Sequence, residues 1–236
     1  MNNRLIHFSI LFLIVNCTLG YSIDAQENSP NRSKSEADAQ AQAKTISLFD
    51  GKTLARWKVT NFGGEGDCQI VDGELVVEAG YPMSGVTYTG KDLPKTNYEL
   101  SFDAMKTQGD DFFCGLTFPV AQSHCTFIAG GWGGVVTGLS CIDNKDASDN
   151  ATRTLKNYKT NQWYAIKVRV TPKQIQVWVD KERVVDLNID GRKISLRNET
   201  LPSRPLGLSN FQTSSKFKNI RLKRLESDAN ADRKSD

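Results

Sequence analysis

In FIAGGWGGVVTG, residues 127–138, five glycines surround Trp132. Glycine tolerates positive φ and close backbone approach, so Gly130–Gly134 can reverse the chain sharply and hold an indole out over a groove. Gly131 and Gly133 would leave bare backbone on either side of the ring. An exposed indole beside open backbone suits the apolar face of a sugar. A hairpin whose Trp132 folds back to cap the core is the other reading, and the residues alone leave both open.

The titratable residues add several candidates. Past the first twenty residues His124 is the only histidine, which removes sites built on a histidine pair, including the common catalytic zinc arrangements. A lone histidine still serves as a general base near neutral pH. Asp110 and Asp111 follow Thr107-Gln108-Gly109. Adjacent residues of a strand point to opposite faces, so only one of the two can enter a groove as base or metal ligand. In CIDNKDASDNATR, residues 141–153, Asp143, Asp146 and Asn150 gather oxygens after a strand. Asp146, Ser148 and Asn150 have the alternate spacing of a calcium loop, but Ala151 replaces the turn glycine and no acid stands at the twelfth position. An EF-hand is excluded; a looser site for Ca²⁺ or another divalent cation and a plain polar loop remain. Glu99-Leu-Ser-Phe-Asp103 has the alternation of a glucanase strand with the central carboxylate missing. Its ends lie about 13 Å apart, beyond the separation of a glycosidase pair, and it reads as a solvated strand face. There is no phosphate-cradling loop, nucleophile elbow or CxxC motif.

The elements that must position these residues are strands. Tyr98, Leu100, Phe102 and Ala104 alternate with Glu99, Ser101 and Asp103; the same period of two runs through Tyr164–Val170 and Ile175–Val179. Thr171-Pro172-Lys173, Asp180-Lys181-Glu182 and Asp190-Gly191 punctuate these runs. Further strands are predicted near 45–50, 54–60, 68–79, 85–89, 112–119, 124–130, 135–142, 183–188, 205–211 and 216–225. No ten-residue segment keeps a helical period. A dozen short strands in roughly 180 residues predict an all-β fold, an antiparallel two-sheet β-sandwich or barrel; a jelly roll would leave one sheet face lining a groove.

The ends set the context. Residues 1–20 carry a basic start and the apolar run Ile10–Val15 and close on Thr18-Leu19-Gly20, the pattern of a secretory signal peptide too short to span a bilayer. Export to the periplasm or the extracellular space is expected, with no transmembrane segment in the mature chain. Lipid anchoring at Cys17 is the minor alternative, since Asn16 is not the small residue expected before an acylated cysteine. Residues 21–44 and 226–236 are too poor in apolar side chains to fold and read as a tether and a tail around one domain, 45–225. The net charge of +3 is small, and the basic residues of 216–224 alternate with Phe217, Ile220 and Leu222, so no nucleic-acid partner is expected. Four cysteines remain in an exported chain. Two disulfides, Cys125 with Cys141 and Cys68 with Cys114, are one expectation and free buried thiols the other.

The segments SLFDGKTLARWK (47–58), CQIVDGELVVEAG (68–80), YELSFDAM (98–105), NQWYAIKVRVTPKQIQVWVDKERVVD (161–186) and PLGLSNFQTSSKFKNIRLKRL (205–225) together resemble the 3-keto-disaccharide hydrolase domain family. The resemblance spans residues 45–225 and implies a concanavalin-A-like jelly roll of a secreted bacterial protein. Where that family places Asn-Ser-Gly on a central strand, this chain has Phe113-Cys114-Gly115. Where the next strand brings Glu and Gln, it has His124-Cys125-Thr126-Phe127. Only Gly115 carries over. The resemblance implies cleavage of a glycoside already oxidised to a ketone at the third carbon of its sugar, by proton abstraction, elimination and hydration. That chemistry needs one base and one stabiliser of the enolate oxygen. His124, Asp111 or Asp110 would supply the base, and Trp132 with Gly131 and Gly133 would cradle the sugar. Backbone N–H groups or a cation at Asp143, Asp146 and Asn150 would meet the oxyanion. The carbohydrate partner would be an oligosaccharide or a 3-keto-glycoside. The competing reading is a non-catalytic carbohydrate-binding or cell-envelope interaction module.

Overall fold

The period-two alternation becomes two stacked sheets. A computed structural model describes residues 45–226, so the segments predicted as signal peptide and tether, Cys17 and residues 227–236 lie outside the described residues. One sheet runs β13 (Glu182–Asn188), β12 (Gln174–Val179), β11 (Trp163–Val170), β6 (Tyr98–Gln108), β15 (Ser214–Arg224), β4 (Glu74–Val77), β3 (Cys68–Val71), with β1 (Thr45–Ser47) also paired to β15. The other runs β10 (Thr154–Leu155), β9 (Val136–Ser140), β8 (Ser123–Gly130), β7 (Cys114–Val120), β14 (Gly207–Phe211), β5 (Met83–Tyr88), β2 (Trp57–Val59). All pairings are antiparallel, and neighbours distant in sequence, such as β14 between β7 and β5, give the jelly-roll weave.

Between the sheets, Leu100, Phe102 and Ala104 of β6 meet Leu116 and Phe118 of β7 and Phe127 of β8 in one continuous core. These side chains are almost wholly withdrawn from water, the leucines and phenylalanines each contributing roughly 1.5–3 kcal/mol to folding. The residues that alternate with them, Glu99, Ser101 and Asp103, face outward on the first sheet. Glu99 is ion-paired with Arg169 at 2.7 Å, and Asp103 accepts from Asn219.

Three local differences from the sequence reading have physical causes. The run 68–79 is two strands, because Asp72 and Gly73 both take positive φ (52° and 82°) and close a two-residue hairpin between β3 and β4. The short strand β10 and the 3₁₀ helix Asn198–Ser203 were not visible in the pattern, since neither is long enough to show a period. The four cysteines at 68, 114, 125 and 141 are free thiols. Cys68 sits on β3 of the first sheet and Cys114 in the core on β7 of the second, so that expected pair is not joined. Cys125 lies one position beyond the Thr126–Ser140 pair, opposite Cys141, also unbridged; burial pushes its thiol up to about 12.

Among the described residues no helix is long and apolar enough to cross a membrane.

Candidate functional site

The outer face of the second sheet carries the site. On β8 the odd residues Cys125, Phe127 and Ala129 point into the core, so Thr126 and Ile128 must point out. They line a pocket of about 180 Å³ with Asp111, Phe112, Trp132, Ser140, Arg197, Glu199, Thr200 and Phe211. Phe112 and Phe211 pack with ring centroids 5.7 Å apart and, with Ile128, Met83 and Val136, form a small apolar cluster separate from the main core. Gly115 makes room for this floor: a Cβ there would stand 2.9 Å from the Phe112 ring and 2.7 Å from Ser209 Oγ.

The glycine-rich segment joins β8 to β9 through a turn, Gly131–Gly134, in which Gly130, Trp132, Gly133 and Gly134 all take positive φ. Three glycines adopt this without penalty, but Trp132 at φ 49° does so at a cost of roughly 1–2 kcal/mol. Trp132 is 40% exposed and borders the pocket instead of lying within the core. Gly133 donates its N–H to Asp111 Oδ2 at 3.3 Å, and Phe112 N–H donates to Asp111 Oδ1 at 2.7 Å. The Asp111 backbone N–H in turn donates to Thr213 Oγ1 at 3.1 Å. Thus the carboxylate is fixed beside the tryptophan from two loops at once.

Arg197 and Glu199 close the opposite side, and sequence reasoning missed both. They follow Asp190-Gly191 in a segment that looks like a solvated loop. The chain here is tied back to the start of the 141–153 loop: Cys141 N–H donates to Ser195 O and Asp143 N–H to Lys193 O. Arg197 Nη1 then donates to Asp146 Oδ2 at 2.8 Å, Arg197 Nε donates to Glu199, and the guanidinium lies 6.0 Å from the Trp132 ring. A guanidinium has five N–H donors, so these two bonds leave donors for a ligand.

The remaining sequence candidates fall elsewhere. Asp110 is exposed beside the pocket rather than in its lining. Gly131 is buried under Trp132 and Gly133 is exposed next to Asp111. His124 shares the outward parity of Thr126 but stands outside the pocket lining, two residues or about 7 Å further along β8. Burial holds its imidazole below the ordinary histidine range, helped by the positive charges of Arg204 and Lys95. In the 141–153 loop, Asp143 accepts from Arg192 and from the Lys193 N–H, and Asp146 from Ser148 and Arg197. Asn150 donates to the carbonyls of Leu139, Lys145 and Asp146 and accepts from Thr152. Each of the three thus spends its side-chain oxygens on protein donors, an arrangement that does not fit a cation as placed, and no group of three or more His, Cys, Asp or Glu among the described residues is set to hold a metal ion. What the loop does show is a brace for Arg197.

The profile of the 3-keto-alpha-glucoside-1,2-lyase-like domain matches residues 44–223. The chain belongs to this family. A comparison with curated proteins finds no match. Among solved structures, the chain is similar in fold to the Crh5 transglycosylase in complex with NAG, at 10% identity over 78% of this chain and 85% of that one, with a TM-score of 0.53. It is likewise similar to the carbohydrate recognition domain of Emp46p, at 12% identity over 77% and 96% with a TM-score of 0.51. A third similarity is to SCLam, a non-specific endo-beta-1,3(4)-glucanase from family GH16, at 9% identity over 77% and 90% with a TM-score of 0.50. At such identities these likenesses establish the shared jelly roll.

Proposed function

We propose that the pocket beside Trp132 binds a 3-keto-glycoside and cleaves it by elimination, with Asp111 as the base. The observation that carries this is the fixed placement of a carboxylate beside a half-exposed indole, with the Arg197 guanidinium across the same small hollow. Family membership supplies the reaction class. The ketone at C3 acidifies the C2–H bond. Asp111 takes the C2 proton; the electron pair moves onto the C3 oxygen as an enolate, where a free Arg197 N–H stabilises it. The enolate then re-forms the ketone, a C1=C2 double bond forms and the C1–O bond breaks. The departing oxygen takes the proton from Asp111, and water adds across the double bond. Trp132 stacks on the apolar face of the ring throughout. The signal-peptide-like start supports an exported protein acting on glycans of the cell surface or the medium.

A binding-only module is the second reading, and one observation favours it. Both Asp111 oxygens already accept backbone N–H groups, and Glu199 is paired with Arg197, so the acids are partnered as in a recognition site.

Turnover of methyl 3-keto-α-glucoside separates the two. The elimination reading predicts turnover by the native protein, a loss of about a hundredfold or more in Asp111→Asn, and a value near native in His124→Ala. Full turnover in Asp111→Asn overturns the assignment of the base. Sugar binding without product at any protein concentration selects the module.

A further inference from the structure

Phe211, in the wall of the Trp132 pocket, stands on a strand that pairs with β5, and just before β5 comes the most exposed large hydrophobic residue described. Tyr81 is 83% exposed, and only Pro82 separates it from β5 of the same sheet. Between the two ends lie β7 and β14, so Trp132 at the end of β8 and Tyr81 at the start of β5 are three strand spacings apart. That is roughly 14 Å, room for about three linked pyranose rings. The pocket lining reaches Phe112 and Phe211, and the strip of sheet from there to Tyr81 rests on a small apolar cluster in which Met83 and Phe112 are buried. Phe112, Phe211 and Met83 pack on one another with Phe62 at the far side, and Phe211 pairs with Met83 across β14 and β5.

Tyr81 is not on a slack loop. Its N–H donates to Gly64 O at 2.7 Å, and Gln212 N–H donates to Pro82 O at 2.8 Å, tying it to the loop before β3 and to the Phe211–Thr213 turn. The first of these loops is itself held by Glu65, whose carboxylate accepts the N–H groups of Phe62, Gly63 and Gly64. Single exposed aromatics are ordinary. An exposed phenol with its backbone pinned, one strand beyond the Phe211 wall of a pocket that Thr126, Ser140 and Thr200 also line, is placed to meet a second ring of a ligand held at Trp132.

We infer that the binding site extends from Trp132 across β7 and β14 to Tyr81, which stacks a further pyranose ring, so that the preferred ligand is an oligosaccharide of about three units rather than a simple glycoside. This rests on the reading of the Trp132 pocket as a sugar site. The strip, with its amphipathic tyrosine end, suits rings that present one apolar face and a hydroxylated rim.

The test compares kcat/KM for methyl 3-keto-α-glucoside and for a 3-keto-trisaccharide in the native protein, Tyr81→Ala and Tyr81→Phe, with calorimetric titration of the unoxidised trisaccharide alongside. The native trisaccharide-to-methyl-glycoside ratio should be about ten, close to one in Tyr81→Ala, and largely kept in Tyr81→Phe, which retains the ring. A native ratio near one, or a ratio that Tyr81→Ala leaves intact, overturns the extended site while the elimination reading stands. If no keto-glycoside is turned over but the trisaccharide binds and Tyr81→Ala weakens it about tenfold, the extended site holds and elimination falls. Absence of both keto-glycoside turnover and trisaccharide binding overturns both.

Discussion

The two outer faces of this sandwich carry the same kinds of side chain and do opposite things with them. On the first sheet, Lys167 Nζ sits 4.2 Å from the centre of the Trp178 ring, Lys218 Nζ sits 3.8 Å from that of Trp163, and Glu99 is bonded to Arg169. Every indole there is already covered by a cation of its own sheet, and the acid is satisfied. On the second sheet Trp132, in a left-handed conformation, borders a pocket, and the Arg197 guanidinium over its ring lies 6.0 Å away, bonded to Asp146. A tryptophan, a cation and a carboxylate thus make a solvated strand face in one place and a receptive pocket in the other. What differs is the backbone. Flat paired strands let long lysines fold closely over the rings, whereas a glycine turn sets Trp132 at the edge of a pocket with its cation farther off.

The sharpest way to break this contrast is Asp111→Asn, which should lower turnover of a 3-keto-glycoside by about a hundredfold or more while Glu99→Gln leaves it as it is. Next, Trp132→Ala should weaken sugar binding about tenfold in calorimetry, and Trp178→Ala should not. The unfolding midpoint of Trp132→Gly should stay within about 1 kcal/mol of native, because release of the left-handed strain offsets the lost contacts. A smaller effect, a several-fold drop in kcat/KM, is expected for Asp146→Ala, which frees Arg197 without touching the ligand; its stability loss should be about 1–2 kcal/mol.

Most of the sandwich was legible because its cause is local. Tyr98–Ala104 and Tyr164–Val170 alternate cleanly, and that alternation is the core. Trp132 was legible for a similar reason, since four glycines within two residues of it can only mean an unusual backbone. Arg197 and Glu199 were not. Their place in the pocket depends on a bond between residues fifty-one positions apart, Asp146 and Arg197, and on strand-like bridges from Cys141 and Asp143 to the 193–195 segment. Nothing in the composition of IDGRKISLRNET separates it from a solvated loop. For the same reason the oxygens of 141–153 look like a cation loop in sequence, although their partners are Arg192, Lys193 and Arg197.

The smallest expected effect concerns His124. Its folded imidazole lies below its ordinary value because of burial and the nearby Arg204 and Lys95, so the unfolded chain binds the proton more readily. The stabilisation from the neutral ring is therefore fully present above the ordinary histidine value and is lost as pH falls below it. Denaturant midpoints measured from neutral to mildly acid pH should fall less steeply in His124→Asn than in the native protein, with turnover at neutral pH preserved.

Four tryptophans report on both faces and the core at once, since Trp57 is buried with its indole N–H bonded to Leu48 O. Titrating ¹⁵N-labelled protein with methyl 3-keto-α-glucoside and following the four indole N–H resonances tests the central claim. The Trp132 resonance should move with saturation while those of Trp57, Trp163 and Trp178 stay in place. A silent Trp132, or shifts confined to Trp163 and Trp178, would contradict it.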